Sequence, residues 1–160
     1  MQKLENYLML MKEEQLKLSK QICFPIYSVS RLITKAYKPY LEKMGITYPQ
    51  YLVLLVLWEH GQVSVNQIGE KLLLNTNTLS PLIQRMEKLK LLNRTRSSKD
   101  ERSVLVELTK KGLSYKKDAA SIPEELLTSL LSEEIVLTDV LLLKETLDKW
   151  ITILSEKADN

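Results

Sequence analysis

The sequence predicts a mainly α-helical fold with a small β-hairpin wing, in the order helix-turn-helix and then hairpin. Helix start and stop signals divide most of the chain into helices, two of which are short and joined by a tight polar turn. Two alternating strands follow directly. With 160 residues, 44% hydrophobic content and only 4 Gly and 5 Pro, the chain is able to bury a real core.

The first long helix is expected to begin within residues 21–24 and its segment to run to Gly45. Pro25 suits only its first turn, because proline lacks the N–H that later turns need. Residues 3–20 are expected to form a looser or separate helical arm. Apolar side chains at spacings of three and four form one stripe: Ile22, Ile26, Val29, Ile33, Tyr37 and Leu41. Cys23 therefore falls at a helix N-terminus.

The next three helices each open at a capping signal. Thr47–Gln50 combines a capping box with a proline and opens a helix that is apolar nearly all round, hence buried, and ends at Gly61. Ser64–Gln67 is a second capping box, for a short helix. Asn75 or Thr76 opens the third helix.

That third helix carries polar and cationic groups opposite an apolar stripe. The stripe is Leu79, Leu82, Ile83, Met86 and Leu89. The side chains at the leading end or on the outer face are Thr76, Asn77, Thr78, Ser80, Gln84 and Arg85. A helix enters the major groove with its first turns facing base edges while cations neutralise phosphates. We therefore expect this helix to bind DNA.

A basic hairpin follows the third helix. Its strands are LLNRTR and RSVLVELT, in which apolar residues alternate at Val104, Val106 and Leu108. The turn between them offers Lys99 and Arg102, with Asp100 and Glu101 placed to hold an arginine extended for a narrow minor groove. A polar, partly cationic helix directly before a basic hairpin predicts a winged helix-turn-helix that binds DNA.

Charge is unevenly spread along the chain, although the net charge is only +3. Residues 84–117 hold 11 Lys and Arg against 4 Asp and Glu, whereas residues 118–160 hold 3 against 10. This split indicates a basic surface for a polyanion and an acidic part that faces elsewhere. A solvated basic face without a ligand is the alternative.

The C-terminal part is also predicted to be helical. Thr109 is expected to cap a helix that runs to about Ala120, an interruption follows at 121–123, and a new helix start is expected at Ser132–Glu134. The last helix has a coiled-coil-like seam at Val140, Leu143, Leu147, Trp150 and Leu154. Such a seam predicts a partner helix from a second chain. Packing against the first helix of the same chain is the alternative.

Cys23 is the single cysteine, so it forms neither a disulfide within the chain nor a multi-cysteine zinc site. Thiolate is the reactive form of cysteine, and a helix N-terminus favours it. Phenols able to hydrogen-bond a thiolate or sulfenic acid are Tyr27, Tyr37, Tyr40 and Tyr48. The thiol is thus either a redox group or inert packing.

The sequence gives little support for an enzyme, a metal-binding protein or a membrane protein. His60 is the sole histidine and no phosphate-binding glycine loop is present, so we expect no catalysis, no cofactor and no metal. No stretch has the roughly 18 uninterrupted apolar residues of a membrane helix. The N-terminus has acidic residues where a signal peptide has basic and apolar ones. A cytoplasmic protein is expected.

Three stretches resemble the MarR family of winged-helix regulators, and within it the OhrR-type one-cysteine organic-hydroperoxide sensors: QICFPIYSVSRLITKAYKPYLEKMGITYPQYLVLLVLWEH, LNTNTLSPLIQRMEK and RSSKDERSVLVELT. The resemblance covers roughly residues 18–123. Asp100–Arg102 and the Leu-Thr pair at 108–109 mark the family. The peroxide-sensing branch is marked by Cys23-Phe24, Tyr27, Ser30-Arg31, Tyr37-Lys38-Pro39 and Ile46 to Tyr51.

The resemblance implies a homodimer. Residues 1–46 and 110–160 would supply interlocked N- and C-terminal dimerisation helices, and residues 47–109 the winged helix-turn-helix domain. Each domain would read one half of a pseudo-palindromic operator in double-stranded DNA. The family's recognition-helix positions match the outer set of the third helix given above, and its wing positions match Asp100 and Arg102.

The resemblance also implies a redox role for Cys23. An organic hydroperoxide would oxidise it to a sulfenic acid, hydrogen-bonded by Tyr37 and Tyr48 across the dimer interface with Tyr27 nearby. Without a second cysteine, further oxidation would give a mixed disulfide with a low-molecular-weight thiol, or irreversible over-oxidation.

The expected function is therefore a redox-responsive transcriptional regulator, a repressor that releases its operator when Cys23 is oxidised. Three alternatives remain open. One is a MarR-type regulator released by a small aromatic ligand, with Cys23 structural. Another is a thiol peroxidase, which the missing resolving cysteine disfavours. The third is a winged-helix protein-interaction module, which the cationic helix face disfavours.

Overall fold

Seven α-helices and three short strands make up most of the part of the chain that the computed structural model describes, residues 16–98, 100 and 103–158. The helices are α1 (Cys23–Lys43), α2 (Tyr48–His60), α3 (Val65–Leu72), α4 (Thr76–Lys88), α5 (Lys110–Ala119), α6 (Ile122–Leu130) and α7 (Leu137–Ala158). The strands are β1 (Val63–Ser64), β2 (Leu92–Arg96) and β3 (Val104–Leu108). The predicted fold class, mainly helical with a small β wing, is confirmed.

Two compact units divide the chain, one ending at Asp118 and the other beginning at Ala119. The three predicted segments, 1–46, 47–109 and 110–160, stay a prediction. Most of the predicted N-terminal arm lies outside the described residues, and Leu18–Lys20 form one 3₁₀ turn.

Residues 16–98, 100 and 103–158 contain neither a membrane-spanning helix nor a cluster of potential metal ligands. No helix in these ranges has both the length and the apolar character needed to cross a bilayer. No three His, Cys, Asp or Glu side chains in the same ranges gather closely enough to hold a metal ion.

The N-terminal half of α1 leaves apolar side chains in solvent. The helix begins at Cys23, as predicted, and Pro25 lies in its first turn, where a missing N–H costs nothing. The predicted stripe is buried only towards its C-terminal end. Leu41 is 2% exposed, whereas Ile22 and Val29 are 65% and 47% exposed.

Helix α2 is the centre of the first unit, and α1, α3, α4 and β3 all pack against it. Its start is fixed by the predicted capping box, in which Gln50 Oε1 accepts the N–H of Thr47 at 2.8 Å. Its end is Gly61, at φ 71°. The buried face is formed by Gln50, Tyr51, Val53, Leu54, Val56 and Leu57.

The predicted helix-turn-helix is confirmed, and its helix caps form as expected. Ser64 Oγ accepts the N–H of Gln67 at 3.1 Å, and Gln67 Oε1 accepts that of Ser64 at 2.8 Å. Asn75 Oδ1 accepts the N–H of Thr78 at 2.9 Å, which settles the start of α4. The bonds from Gln67 and Thr78 each satisfy one of the free N–H groups in the first turn of their helix.

The inward stripe of α4 is correct except at its end. Its first four members, Leu79, Leu82, Ile83 and Met86, are buried. Leu89 was expected to continue the stripe but is 40% exposed. The helix has already ended at Lys88, and Leu89 is the residue beyond its last turn.

The wing has one strand more than predicted. Strands β2 and β3 form the expected antiparallel hairpin, with Leu92 opposite Leu108. Strand β1 pairs with the other edge of β3, with Val63 opposite Val106. A two-residue strand is too short to show the alternation by which strands are recognised in a sequence.

In the second unit, the last helix begins later than predicted. The structure starts α7 at Leu137 rather than at Ser132–Glu134. The Ser132 hydroxyl instead accepts the N–H groups of Glu134 and Ile135 at 3.3 and 3.1 Å in a turn. Asp139 Oδ2 accepts the N–H of Val136 at 3.0 Å and so caps the helix.

The predicted seam of α7 is largely uncovered in the single chain. Leu143, Trp150 and Leu154 are 54%, 39% and 64% exposed. Val140 and Leu147 are half-buried.

The first turn of α5 lies against the α4–β2 turn, which comprises residues 89–91. Thr109 Oγ donates to the Lys90 carbonyl at 2.6 Å, and the Thr109 N–H donates to that of Leu91 at 3.1 Å. As the predicted cap, Thr109 Oγ also accepts the Gly112 N–H at 3.1 Å. Trp58 Nε1 on α2 donates to the Gly112 carbonyl at 3.0 Å. A Cβ at Gly112 would lie 2.1 Å from the Leu91 oxygen, so this joint requires glycine.

Gly112→Ala is expected to lower the free energy of unfolding by about 1–3 kcal/mol, because the added methyl group overlaps backbone that is hydrogen-bonded on both sides. Chemical denaturation of both proteins measures this. Ser114→Ala, at an exposed position of the same helix, is the control and should change stability by less than about 0.5 kcal/mol. Equal stability of the two variants would contradict the close approach.

Candidate functional site

Helix α4 displays the predicted hydrogen-bonding set on its open side. The exposed members are Thr76, Asn77, Thr78, Gln84 and Arg85, and Ser80 is half-buried. Arg85 Nε donates to the Pro81 carbonyl at 3.2 Å, which holds its stem along the helix. These side chains are therefore accessible to a duplex, while the opposite face of the helix fills the core.

A small cavity of about 200 Å³ lies between α3, α4 and the wing. Its polar lining brings together Thr76, Ser80 and Gln84 from the predicted set with Asn66, Arg94 and Ser103. Sequence reasoning missed the last three. Strand alternation held a signal for Arg94, because it shares a sheet face with Leu92, which is fully buried.

Arg94 is held by Glu87 of α4. Its Nε and Nη2 donate to Glu87 Oε2 at 2.9 and 2.7 Å, and its backbone N–H donates to Oε1 at 3.2 Å. The side-chain hydrogen bond from Arg94 lowers the pKa of Glu87 below its usual range. The pair joins the last turn of α4 to the middle of β2.

The wing tip is described only in part. Asp100 is exposed, its N–H donates to Ser97 Oγ at 3.3 Å, and its carbonyl accepts the N–H of Ser103 at 2.9 Å. Lys99 and Arg102 lie outside the described residues, so their DNA contacts stay predictions.

Cys23 is exposed as the first residue of α1. Tyr27 follows one turn later on the same face. Arg31 holds Tyr27, because its Nη1 donates to the phenol oxygen at 3.1 Å and its guanidinium carbon lies 5.5 Å from the ring centroid. Since that oxygen acts as an acceptor towards Arg31, its own hydrogen is left to donate elsewhere.

Tyr37 and Tyr48 lie in a separate cluster where α1 meets α2. Their ring centroids are 4.9 Å apart, and that of Tyr51 lies 5.7 and 6.4 Å from them. Burial, aided by the other two phenols, raises the pKa of Tyr37 to about 12. Burial also raises the pKa of Tyr48 and of Tyr51. All three phenols are therefore neutral hydrogen-bond donors at physiological pH.

The single chain does not bring all predicted sensor residues together. Cys23 and Tyr37 lie 14 residues apart on α1, which at 1.5 Å per residue is about 21 Å. A thiol cannot reach a phenol over that distance. Cys23 and Tyr27 thus form one group, and Tyr37 and Tyr48 form the other.

An open groove of about 910 Å³ runs along α1 past both groups. Its lining includes Phe24 and Tyr27 towards the Cys23 end and Tyr48 and Pro49 towards the other. The charged lining side chains are Arg31, Lys35, Lys38 and Glu42. The groove is therefore apolar with a cationic margin.

Comparison with known proteins identifies the family. The model described as "Transcriptional regulator SarA/Rot" matches residues 35–119, slightly more than half of the chain. The organic hydroperoxide resistance transcriptional regulator of Bacillus subtilis (strain 168) is 50% identical over 116 residues, covering 72% of this chain and 79% of that protein. The apo structure of MarR from E. coli has a TM-score of 0.65 at 21% identity, with 81% and 95% of the two chains covered, and shows the fold alone. The chain belongs to the MarR family of transcriptional regulators.

Solved structures of AbfR, a protein of Staphylococcus epidermidis, are also similar to this MarR-family chain. Reduced AbfR bound to DNA has a TM-score of 0.74 at 36% identity, with 90% of this chain and 99% of that chain covered. Overoxidised AbfR bound to DNA has a TM-score of 0.70 at 38% identity and the same coverage. The expected function class, a DNA-binding transcriptional regulator rather than an enzyme, is confirmed by membership of the family.

Because the pKa of Tyr37 is raised, the stability of this MarR-family protein is expected to fall in a defined alkaline pH range. An unfolded tyrosine loses its proton near pH 10, whereas folded Tyr37 does so at about 12. The stability linked to Tyr37 is therefore complete below pH 10 and falls as the pH rises from 10 to 12. Tyr37→Phe should show a shallower decline in the free energy of unfolding over that interval, measured by urea denaturation and referred to each protein's own value at neutral pH. Parallel declines in the two proteins would refute the assignment to Tyr37.

Proposed function

We propose that this chain is a homodimeric repressor that binds a pseudo-palindromic operator while Cys23 is reduced and releases it when an organic hydroperoxide oxidises Cys23. One observation carries the proposal. The exposed thiol of Cys23 and Tyr37 of the neutral phenol cluster lie about 21 Å apart along α1, so one chain holds the two halves of a sensor without joining them. A second copy in two-fold symmetry offers its own Tyr37 and Tyr48 to Cys23.

Exposed apolar side chains on two helices support the dimer. On α1 they include Phe24, Ile26, Val29 and Leu32, with Ile22 just before its first turn, and on α7 they include Leu143, Trp150 and Leu154. Large apolar surfaces on long helices are costly in water and mark protein interfaces. A two-fold axis would bury each patch against its counterpart and present two copies of α4 to the two halves of a palindrome.

The proposed redox step is a two-electron oxidation of sulfur. The Cys23 thiolate attacks the terminal oxygen of the hydroperoxide, an S–O bond forms, the O–O bond breaks, and the alcohol leaves after taking up a proton. The product is a sulfenic acid, to which the partner's Tyr37 and Tyr48 donate hydrogen bonds. A low-molecular-weight thiol then condenses with it, releasing water and leaving a mixed disulfide that thiol exchange reverses.

DNA is the partner of the reduced dimer in this proposal. The leading end of α4 enters the major groove, with base-edge contacts by Asn77, Thr78 and Gln84 and phosphate contacts by Arg85. Thr76 and Ser80 lie beside them at the same end. The wing, through Lys99, Asp100 and Arg102, follows the adjacent minor groove. A dimer that acts in this way would work in the cytoplasm, where its operator DNA would be.

The groove along α1 favours one alternative. Its apolar lining and cationic margin suit a small aromatic anion, whose binding would release DNA while Cys23 is merely structural. The two functions differ in whether the sulfur atom is needed for release.

Cys23→Ser is expected to bind the operator like the reduced wild type and to ignore peroxide, because serine cannot form a sulfenic acid. The wild type should lose about 5- to 150-fold in affinity on oxidation, the range of ordinary allosteric coupling. Electrophoretic mobility shift with the protein's own upstream DNA, with and without an organic hydroperoxide, measures both.

Recovery of wild-type binding after a reductant is the internal control. A reductant reverses the sulfenic acid and the mixed disulfide but not over-oxidation, so recovery shows which form of Cys23 had released the DNA. The distinction is needed because AbfR also has an overoxidised form, which was crystallised on DNA. Equal loss of binding in both proteins, or no loss in either, would replace the redox switch with the ligand-controlled alternative.

Gln84→Ala and Arg85→Ala should weaken DNA binding in different ways. Gln84 reads a base edge in the proposed complex, so its loss should cost about 1–3 kcal/mol of discrimination at one base pair. Arg85 neutralises a phosphate, so its loss should weaken binding to every sequence and reduce the salt slope by about 1. Fluorescence anisotropy over a salt series and a set of single-base operator variants measures both. Identical patterns in the two variants would refute this division of roles.

A further inference from the structure

Glu87 is an acidic side chain at a position where two features of its surroundings disfavour negative charge. It lies in the last turn of α4, where the helix dipole favours cations such as Arg85 and Lys88. It also belongs to segment 84–117, whose 11 Lys and Arg outnumber 4 Asp and Glu. A free carboxylate on a DNA-binding surface repels phosphates, so its presence there calls for a compensating interaction.

That interaction is with Arg94. Three N–H groups of this one residue converge on the Glu87 carboxylate at 2.7, 2.9 and 3.2 Å. The two side chains are only 33% and 36% exposed, so water and salt screen the pair less than a fully exposed one. Because the backbone N–H of Arg94 takes part, the contact fixes the strand as well as the guanidinium.

The sheet explains why Arg94 turns towards the helices. It lies opposite Val106 in the ladder, and both Val106 and Leu92 of the same sheet face are fully buried. Arg94 is therefore on the core side of β2, where the strand leaves the core. There it lines the small cavity beside Thr76 and Gln84, two members of the predicted DNA-contacting set of α4.

We propose that Glu87 is a positioning residue for DNA binding. Its carboxylate holds the Arg94 guanidinium beside the recognition face of α4 and ties the root of the wing to that helix. Helix and wing then meet a duplex at one fixed angle. The inference rests on the proposed function only for DNA as the partner, and it is independent of Cys23.

Whether Glu87→Gln weakens or strengthens DNA binding distinguishes a positioning role from a purely electrostatic one. If Glu87 were only a negative charge near phosphates, Glu87→Gln would strengthen binding. A positioning role requires the same variant to weaken binding, although it removes a repulsive charge. A purely stabilising role would lower the melting temperature and leave the affinity of the folded protein unchanged.

The experiment measures operator affinity of the reduced full-length protein over a salt series, at a temperature where thermal melts show every variant folded. Glu87→Gln should bind about 3- to 10-fold more weakly, the loss typical of one ordinary hydrogen bond at a partly exposed site, with an unchanged salt slope. Arg94→Lys keeps the charge but not the forked geometry and should bind as weakly. The control is Glu70→Gln on α3, an exposed carboxylate, which should bind at least as well as wild type.

A double variant checks that Glu87 acts through Arg94. Glu87→Gln combined with Arg94→Gln should bind no more weakly than Arg94→Gln alone, since the second change removes nothing further. Wild-type or tighter binding by Glu87→Gln overturns the inference. If the reduced wild type itself binds no upstream DNA, the proposed function has failed. If the wild type binds and Glu87→Gln binds equally well or more tightly, only the inference has failed, so the two failures are distinguishable.

Discussion

The close approach of Gly112 to the Leu91 carbonyl is the contact on which the rest of the DNA-binding unit depends. No side chain fits between them, so α5 rests directly on the backbone that links the recognition helix to the wing. Thr109 closes the same joint with two further hydrogen bonds, and Trp58 reaches it from α2. Helix α4, strand β2 and helices α2 and α5 therefore meet at a single point, and a change in the angle of one must be shared by the others.

Helix α2 connects this joint to the phenol cluster. Tyr48 and Tyr51 lie in its first turns and Trp58 in its last, and the Tyr51 and Trp58 rings are 6.2 Å apart edge to face. Because α2 is buried on most sides, close packing would make it move as a rigid body rather than bend. In the proposed switch, a disturbance at Tyr48 therefore reaches the α4–β2 turn through a rigid element. The Glu87–Arg94 contact joins the two elements on either side of that turn, α4 and β2.

Features that depend on residues close together in the sequence could be predicted, whereas features that depend on contacts between distant elements could not. The starts of α2, α3 and α4 were predictable because each is fixed by side chains within four residues, as in Thr47–Gln50. Strand β1 and the start of α7 were not, since the first exists only by pairing with β3 and the second depends on Asp139 rather than on Ser132. The Glu87–Arg94 pair and the place of Tyr51 in the cluster also escaped notice, because both arise from packing between elements. Cross-chain sensing by Tyr37 came from family resemblance alone.

Thermodynamic linkage between oxidation of Cys23 and operator binding sets the sensitivity of the proposed switch to oxidant. If oxidation of Cys23 weakens operator binding by a given factor, operator binding must disfavour oxidation at equilibrium by the same factor. This reciprocity holds for the sulfenic acid and the mixed disulfide, which reduction restores, and not for over-oxidation. In equilibrium with a pool of low-molecular-weight thiol and its disulfide, a larger fraction of free dimers than of operator-bound dimers would then carry the mixed disulfide. In the proposed switch, the ratio of protein to operator would therefore help to set the thiol–disulfide balance at which the operator is released.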